Sequence, residues 1–168
     1  MRERSTENGK RLNVCTTPSK LPAYTFVKMT NKKNFLYHGS IVAGIKELEP
    51  RKRYTPGVLG NNAKPAVYAA ANPAYAAGHG FPWGSNDGFD IYENKGIVTL
   101  IVPKRHKKRL NQPVFIYKIS GKYFKLLVND SPKTRIYISY KKAKPVEVKS
   151  FKNVREAIRY YGGKIEII

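Results

Sequence analysis

Apolar residues along this chain follow two rhythms, and the rhythm changes near the middle. "PAYTFVKM" (22–29) and "NFLYHGS" (34–40) read as short extended segments. "SIVAGIKEL" (40–48) sets Ile41, Ile45 and Leu48 at helical spacing, which predicts a helix capped by Ser40 and stopped by Pro50. "AVYAA" (66–70) predicts a short strand. "NPAYAAGHG" (72–80) predicts a second helix, with Asn72 as N-cap, Pro73 at the first helical position and glycines as stops. "RYTPGVLGNNAKP" (53–65) has turn chemistry throughout and predicts a mobile loop; "GFPWGSNDGFD" (80–90) predicts irregular chain.

Beyond residue 95 the period is that of strands. "GIVTLIVP" (96–103), "PVFIYKIS" (113–120), "YFKLLV" (123–128), "TRIYISY" (134–140) and "PVEVKSF" (145–151) are β-branched or aromatic runs bounded by turn residues. "NVREAIRYY" (153–161) predicts a terminal helix, capped by Asn153 and ended by Gly162-Gly163. Helices early and strands late imply an α+β fold, with mostly antiparallel strands in two packed sheets and a few short helices. Residues 1–20 are polar with little periodicity and are expected to form a flexible basic tail. Residues 21–168 are expected to form one domain, a length that can bury a core without staples.

Charge sharpens this picture. The chain has 32 Lys and Arg against 11 Asp and Glu, a net charge of +21. Residues 38–100 are nearly neutral, whereas residues 101–168 hold 18 basic and four acidic residues. Such a balance favours nucleic acid or another polyanion as partner. The runs "KRHKKR" (104–109) and "KKAKP" (141–145) make Lys104, Arg105, Lys107, Lys108, Arg109, Lys141 and Lys142 the candidate contacts. Tyr117, Tyr123, Tyr137 and Tyr140 interleave with them, a mixture that suits nucleic acid. No window of eighteen apolar residues spans a membrane, and the charged N-terminus is no secretory signal. With a single cysteine, Cys15, the expected location is cytoplasmic.

Little else in the chain carries chemistry. One Cys and three separated histidines (His38, His79, His106) offer no ligand spacing, so no metal is expected. "GHGFPWG" (78–84) follows a helix and contains Pro82, which is not the strand–loop–helix setting of a dinucleotide-binding loop. His38 is different. An imidazole at a strand end can donate from one ring nitrogen and accept at the other, and so can hold a ribose hydroxyl. Gly39 lets a planar ligand approach the backbone. Tyr68, in "AVYAA", has a ring that can stack on an aromatic ligand.

"LYHGS" (36–40), then a short helix, a loop and "AVYAA" (66–70) with a helix behind it, resemble the His–Tyr–Glu ADP-ribosyltransferase fold of diphtheria-type toxins and poly(ADP-ribose) polymerases. The extended pattern is similar to small bacterial and phage-like proteins with an "HGS…VYA" signature. The resemblance covers residues 36–80; the later strands match only in order. It implies NAD as cofactor and transfer of ADP-ribose to a nucleic-acid or protein acceptor. His38, Tyr68 and a late-strand carboxylate would be the catalytic set, with Glu147 in "KPVEV" the candidate carboxylate. Gly39, Ser40, Arg51 and Tyr75 would contact the cofactor, Arg51 at its pyrophosphate. The family's second Tyr stands further from the first than Tyr75 does, and His79 stands near that spacing. The family's usual sequence around its catalytic Glu is absent at Glu147. Two other readings use the same residues: an RNA 2′-phosphotransferase-like enzyme on this fold, and a non-enzymatic basic nucleic-acid-binding domain.

Overall fold

The computed structural model describes residues 26–27, 35–52, 64–80, 86–127 and 136–168. The expected tail (1–20) and most of the expected loop (53–65), with Arg53, lie outside the described residues.

Among the described residues, ten strands form two sheets. The larger has seven strands: β1 (Phe26–Val27), β2 (Phe35–Ser40), β3 (Val67–Ala70), β6 (Val114–Ser120), β7 (Lys125–Leu127), β8 (Ile136–Ser139) and β9 (Pro145–Phe151). Their spatial order is β1-β7-β8-β3-β2-β6-β9, and every neighbouring pair is antiparallel. The smaller sheet joins β4 (Asp90–Asn94), β5 (Ile97–Val102) and β10 (Lys164–Ile167), with β10 parallel to β5. Two short helices, α1 (Pro73–His79) and α2 (Val154–Tyr160), and a 3-10 helix, Lys104–Asn111, complete the fold. This is the α+β architecture of mostly antiparallel strands and few helices that the sequence implies.

Register assigns the faces of the large sheet. Tyr37, Lys118 and Glu147 stand side by side on one face, and His38, Tyr117 and Val148 on the other. The main core lies between the sheets. Ala74, Tyr75 and Ala77 of α1, Val154, Ala157 and Ile158 of α2, and Leu100 of β5 pack there against Val114 and Ile116. A smaller core of Leu36, Val67, Ala69, Ile119 and Tyr137 fills the opposite face, closed by Leu48.

The caps at Asn72 and Asn153 form as expected: their side chains accept from Ala74 N (3.0 Å) and Glu156 N (2.9 Å). One expectation is corrected. Residues 40–48 form no helix. Ser40 Oγ accepts from Val42 N at 3.0 Å, Gly44 takes φ +69°, and Leu48 bridges Ala143. The buried Tyr117 hydroxyl donates to Val42 O (2.7 Å) and is in reach of Ile45 N (3.2 Å), so the sheet supplies partners that a helix would have supplied internally. Residues 90–94, which follow the segment expected to be irregular (80–90), form β4. They pair with β5 across a two-residue turn whose Lys95 and Gly96 both have positive φ. The run 104–109 winds into the 3-10 helix, and residues 164–167 form strand β10.

Candidate active site

The site begins with how α1 lies on β2. A Cβ on Gly39 would stand 1.9 Å from Ala76 O and 2.8 Å from its carbonyl carbon. A Cβ on Gly80 would stand 2.4 Å from a Val114 methyl and 3.2 Å from Ser40 N. Two residues without side chains therefore let helix and strand touch backbone to backbone. That contact carries Tyr75, Ala76 and His79 to the end of β2.

On its other side, β2 meets β3 through a single residue pair, Tyr37↔Ala70. Past that pair the strands part. His38 spans the opening: its Nδ1–H donates to the Tyr68 carbonyl at 2.8 Å. A carbonyl can only accept, so Nδ1 carries the proton and Nε2 is the acceptor nitrogen of the neutral ring.

A cavity of about 70 Å³ opens at this parting. Its wall includes His38, Gly39, Tyr68, Tyr75, His79 and Ile136. Tyr75 is buried, and its ring centroid lies 4.8 Å from that of His79 with the planes tilted 45°. Among the described residues, no Asp, Glu, Lys or Arg lines the cavity. Roughly 10–15 Å³ of such space holds one water, so the cavity accepts about five waters or one ring. A whole drug-sized ligand takes about 300–1,000 Å³.

His38, Tyr68, Gly39 and Tyr75 thus come together. Glu147 does not join them. It lies on the edge strand β9, two strands from β2 on the side away from β3, 60% exposed and ion-paired with Lys118 Nζ at 3.0 Å. Strand spacing of about 4.8 Å puts that backbone roughly 10 Å from β2. Where β8 borders the cavity, the wall residue is Ile136. Ser40 turns the chain through its bond to Val42 N and is not part of the wall. Arg51 is exposed and tied by two backbone bonds of 3.1 Å to Ala66, at the foot of β3, outside the wall. His79 and Ile136 are wall residues that the sequence did not nominate for this site. The spacing from Tyr68 pointed to His79; nothing in the sequence pointed to Ile136.

The candidate cationic contacts divide. Lys104, Arg105, Lys107 and Lys108 are exposed on the 3-10 helix. Arg109 is held by Asp87, and Arg105 donates to His106 Nε2 and Asp87 O. Lys142 is held at 3.1 Å by Glu47 and at 2.7 Å by Glu49, so its charge is already answered within the chain. The Lys142 ammonium holds Glu49 below the usual carboxylate range, and the two acids raise Lys142 in turn. Lys141 instead reaches over the Tyr123 ring, 4.6 Å from its centroid. Among the described residues, no three His, Cys, Asp or Glu gather as a metal site would need. None of the described helices is long and apolar enough to cross a membrane.

No protein-family model, no curated protein and no solved structure matches this chain.

Proposed function

We propose that the opening between β2 and β3 is a nicotinamide-ring site, and that the chain is an NAD-dependent ADP-ribosyltransferase-like protein. The observation that carries this reading is the His38–Tyr68 bond across the parted strands, with Tyr75 and His79 behind it. The wall suits a flat ring: aromatic side chains, apolar Ala and Ile surface, and backbone close at hand. It suits the nicotinamide end alone, because no cation among the described residues lines it and 70 Å³ holds one ring.

NAD, when bound, supplies a ribosyl group whose bond to nicotinamide is the bond to be broken. His38 holds its ring through Nδ1, so its acceptor nitrogen is set in one direction for a ribose hydroxyl. Tyr68, Tyr75 and His79 orient the ring and keep water from it. Among the described residues of the wall, none brings negative charge to the positive charge that develops as the bond breaks. An anionic acceptor, such as a phosphate, would supply that charge itself.

Thermal-shift titration of the whole chain with NAD and with free nicotinamide tests the reading. Both should stabilise the protein, and His38→Ala and Tyr68→Ala should abolish the shift. Radiolabelled NAD with phosphate-terminated oligonucleotides or protein acceptors then reports transfer. A chain indifferent to both ligands would sink the cofactor assignment. The second reading, a nucleic-acid-binding domain without catalysis, is favoured by the lack of a carboxylate among the described residues of the cavity wall. It predicts an NAD shift without label transfer, or no NAD shift at all.

A further inference from the structure

Helix α2 has a face that the cavity does not use. Val154, Ala157 and Ile158 are buried, which turns Arg159 and Tyr160 outward. Arg155, Arg159 and Tyr160 border a shallow, open depression of about 630 Å³. The Arg155 guanidinium donates to Lys107 O at 3.3 Å, joining this face to the 3-10 helix, where Lys107 and Lys108 are exposed. Neither lysine pairs with a carboxylate among the described residues. Glu156, the acid of this face, is engaged at the helix start, where its Oε2 accepts from Lys152 N at 3.2 Å. Tyr160 is 59% exposed, and Lys149 Nζ sits 3.7 Å from its ring centroid. A tilted contact with Phe151 and an edge-on contact with Tyr161 hold the ring in place.

We propose that this face binds single-stranded nucleic acid, with Arg155, Arg159, Lys107 and Lys108 taking phosphates and Tyr160 stacking on a base. The cations set out a backbone track, and a held, exposed ring beside them is what an unpaired base can cover. A duplex covers its own base faces, so the ring would add nothing for it. An acidic peptide would use the cations and leave the ring idle. The assignment stands independently of the NAD reading, since neither its residues nor its test involve the cavity. Tyr123, 54% exposed between Lys122 and Lys141, is the rival platform, where the described cations over the ring are lysines.

The test is fluorescence anisotropy of the full chain with labelled twelve-nucleotide oligo-dT and oligo-U over a salt series, without NAD. Tyr160→Ala should weaken binding about tenfold and leave the salt slope unchanged, while Tyr160→Phe should bind as the parent does. Arg155→Gln with Arg159→Gln should flatten the slope by about 1.4, at roughly 0.7 per phosphate contact for single strands. Should Tyr160→Ala lose its native melting transition, Tyr160→Leu keeps the apolar bulk without the ring and should show the same tenfold loss. The proposal is overturned if the ringless variant binds like the parent, or if Tyr123→Ala is the variant that weakens binding. It is equally overturned if a duplex or a poly-glutamate chain binds as tightly as the single strands.

Discussion

Strand β2 is held in opposite ways along its two edges. Toward β6 all six residues are paired, from Phe35↔Ser120 to Ser40↔Phe115. Toward β3 one pair forms, Tyr37↔Ala70, and one side chain, His38, reaches across the rest. A fully paired seam commits its backbone groups to the ladder and leaves no room between strands. A parted seam leaves both room and main-chain polarity, and an imidazole can set the gap. The difference locates the candidate site more sharply than any motif does, because His38 belongs to both seams.

The comparison can be broken at several points. Gly39→Ala should have the largest effect, since the new methyl would overlap Ala76 O. A loss of about 3 kcal/mol or more is expected in urea unfolding, together with loss of any nicotinamide response. An unchanged midpoint would mean that α1 does not rest on β2. Tyr117→Phe probes the sealed side. It removes the hydroxyl that bonds Val42 O and is in reach of Ile45 N, and should cost about 1–2 kcal/mol while the nicotinamide response persists.

Tyr161→Phe sharpens the packing behind the seam. Burial, with smaller contributions from Tyr160, Tyr37 and Glu147, pushes the Tyr161 phenol up to about 12. A raised folded-state value means the folded chain keeps the proton that the unfolded chain releases near pH 10. Stability from this group is therefore full below pH 10 and lost as pH rises through about 12. A tenfold difference in proton affinity between the two states corresponds to about 1.4 kcal/mol. Solvent around a half-buried ring screens much of that, so a loss of about 1 kcal/mol is expected. The Phe variant should flatten this part of an alkaline denaturation curve; an unchanged curve would mean that the phenol is not buried against α2's neighbours. Glu147→Gln should have the smallest effect, under about 0.5 kcal/mol, because the ion pair it breaks is exposed. NAD response should not change. A tenfold fall in turnover with folding intact would return Glu147 to the site.

Much of the fold was legible because local chemistry and tertiary need agree. "PVEVKSF" forms a strand over the expected residues, Pro145–Phe151, and both asparagine-capped helices begin where their caps stand. The misreadings share a cause in distant partners. The 40–48 segment has helical spacing, but Tyr117, some seventy residues away, holds its backbone. β10 exists because β5 offers a parallel edge, which no local pattern announces. The candidate site divides in the same way. His38, Gly39 and Tyr68 are marked by residue type and spacing. Glu147 is set apart from the described cavity wall by strand order, since alternation along a strand gives a face but not a neighbour.

By itself the amino-acid sequence determined the strand and helix inventory of most of the chain, the pairing of an imidazole with a glycine at a strand end, and an excess of cations in the last third. Those properties depend on alternation, capping and residue type, which act over a few residues. Tertiary structure alone decided that β2 and β3 part after one pair, that Ile136 joins the cavity wall, and that Lys142 is neutralised while Arg155, Arg159 and Tyr160 share an open face. Each of these depends on which strands and helices become neighbours, and that is settled by how whole faces bury one another.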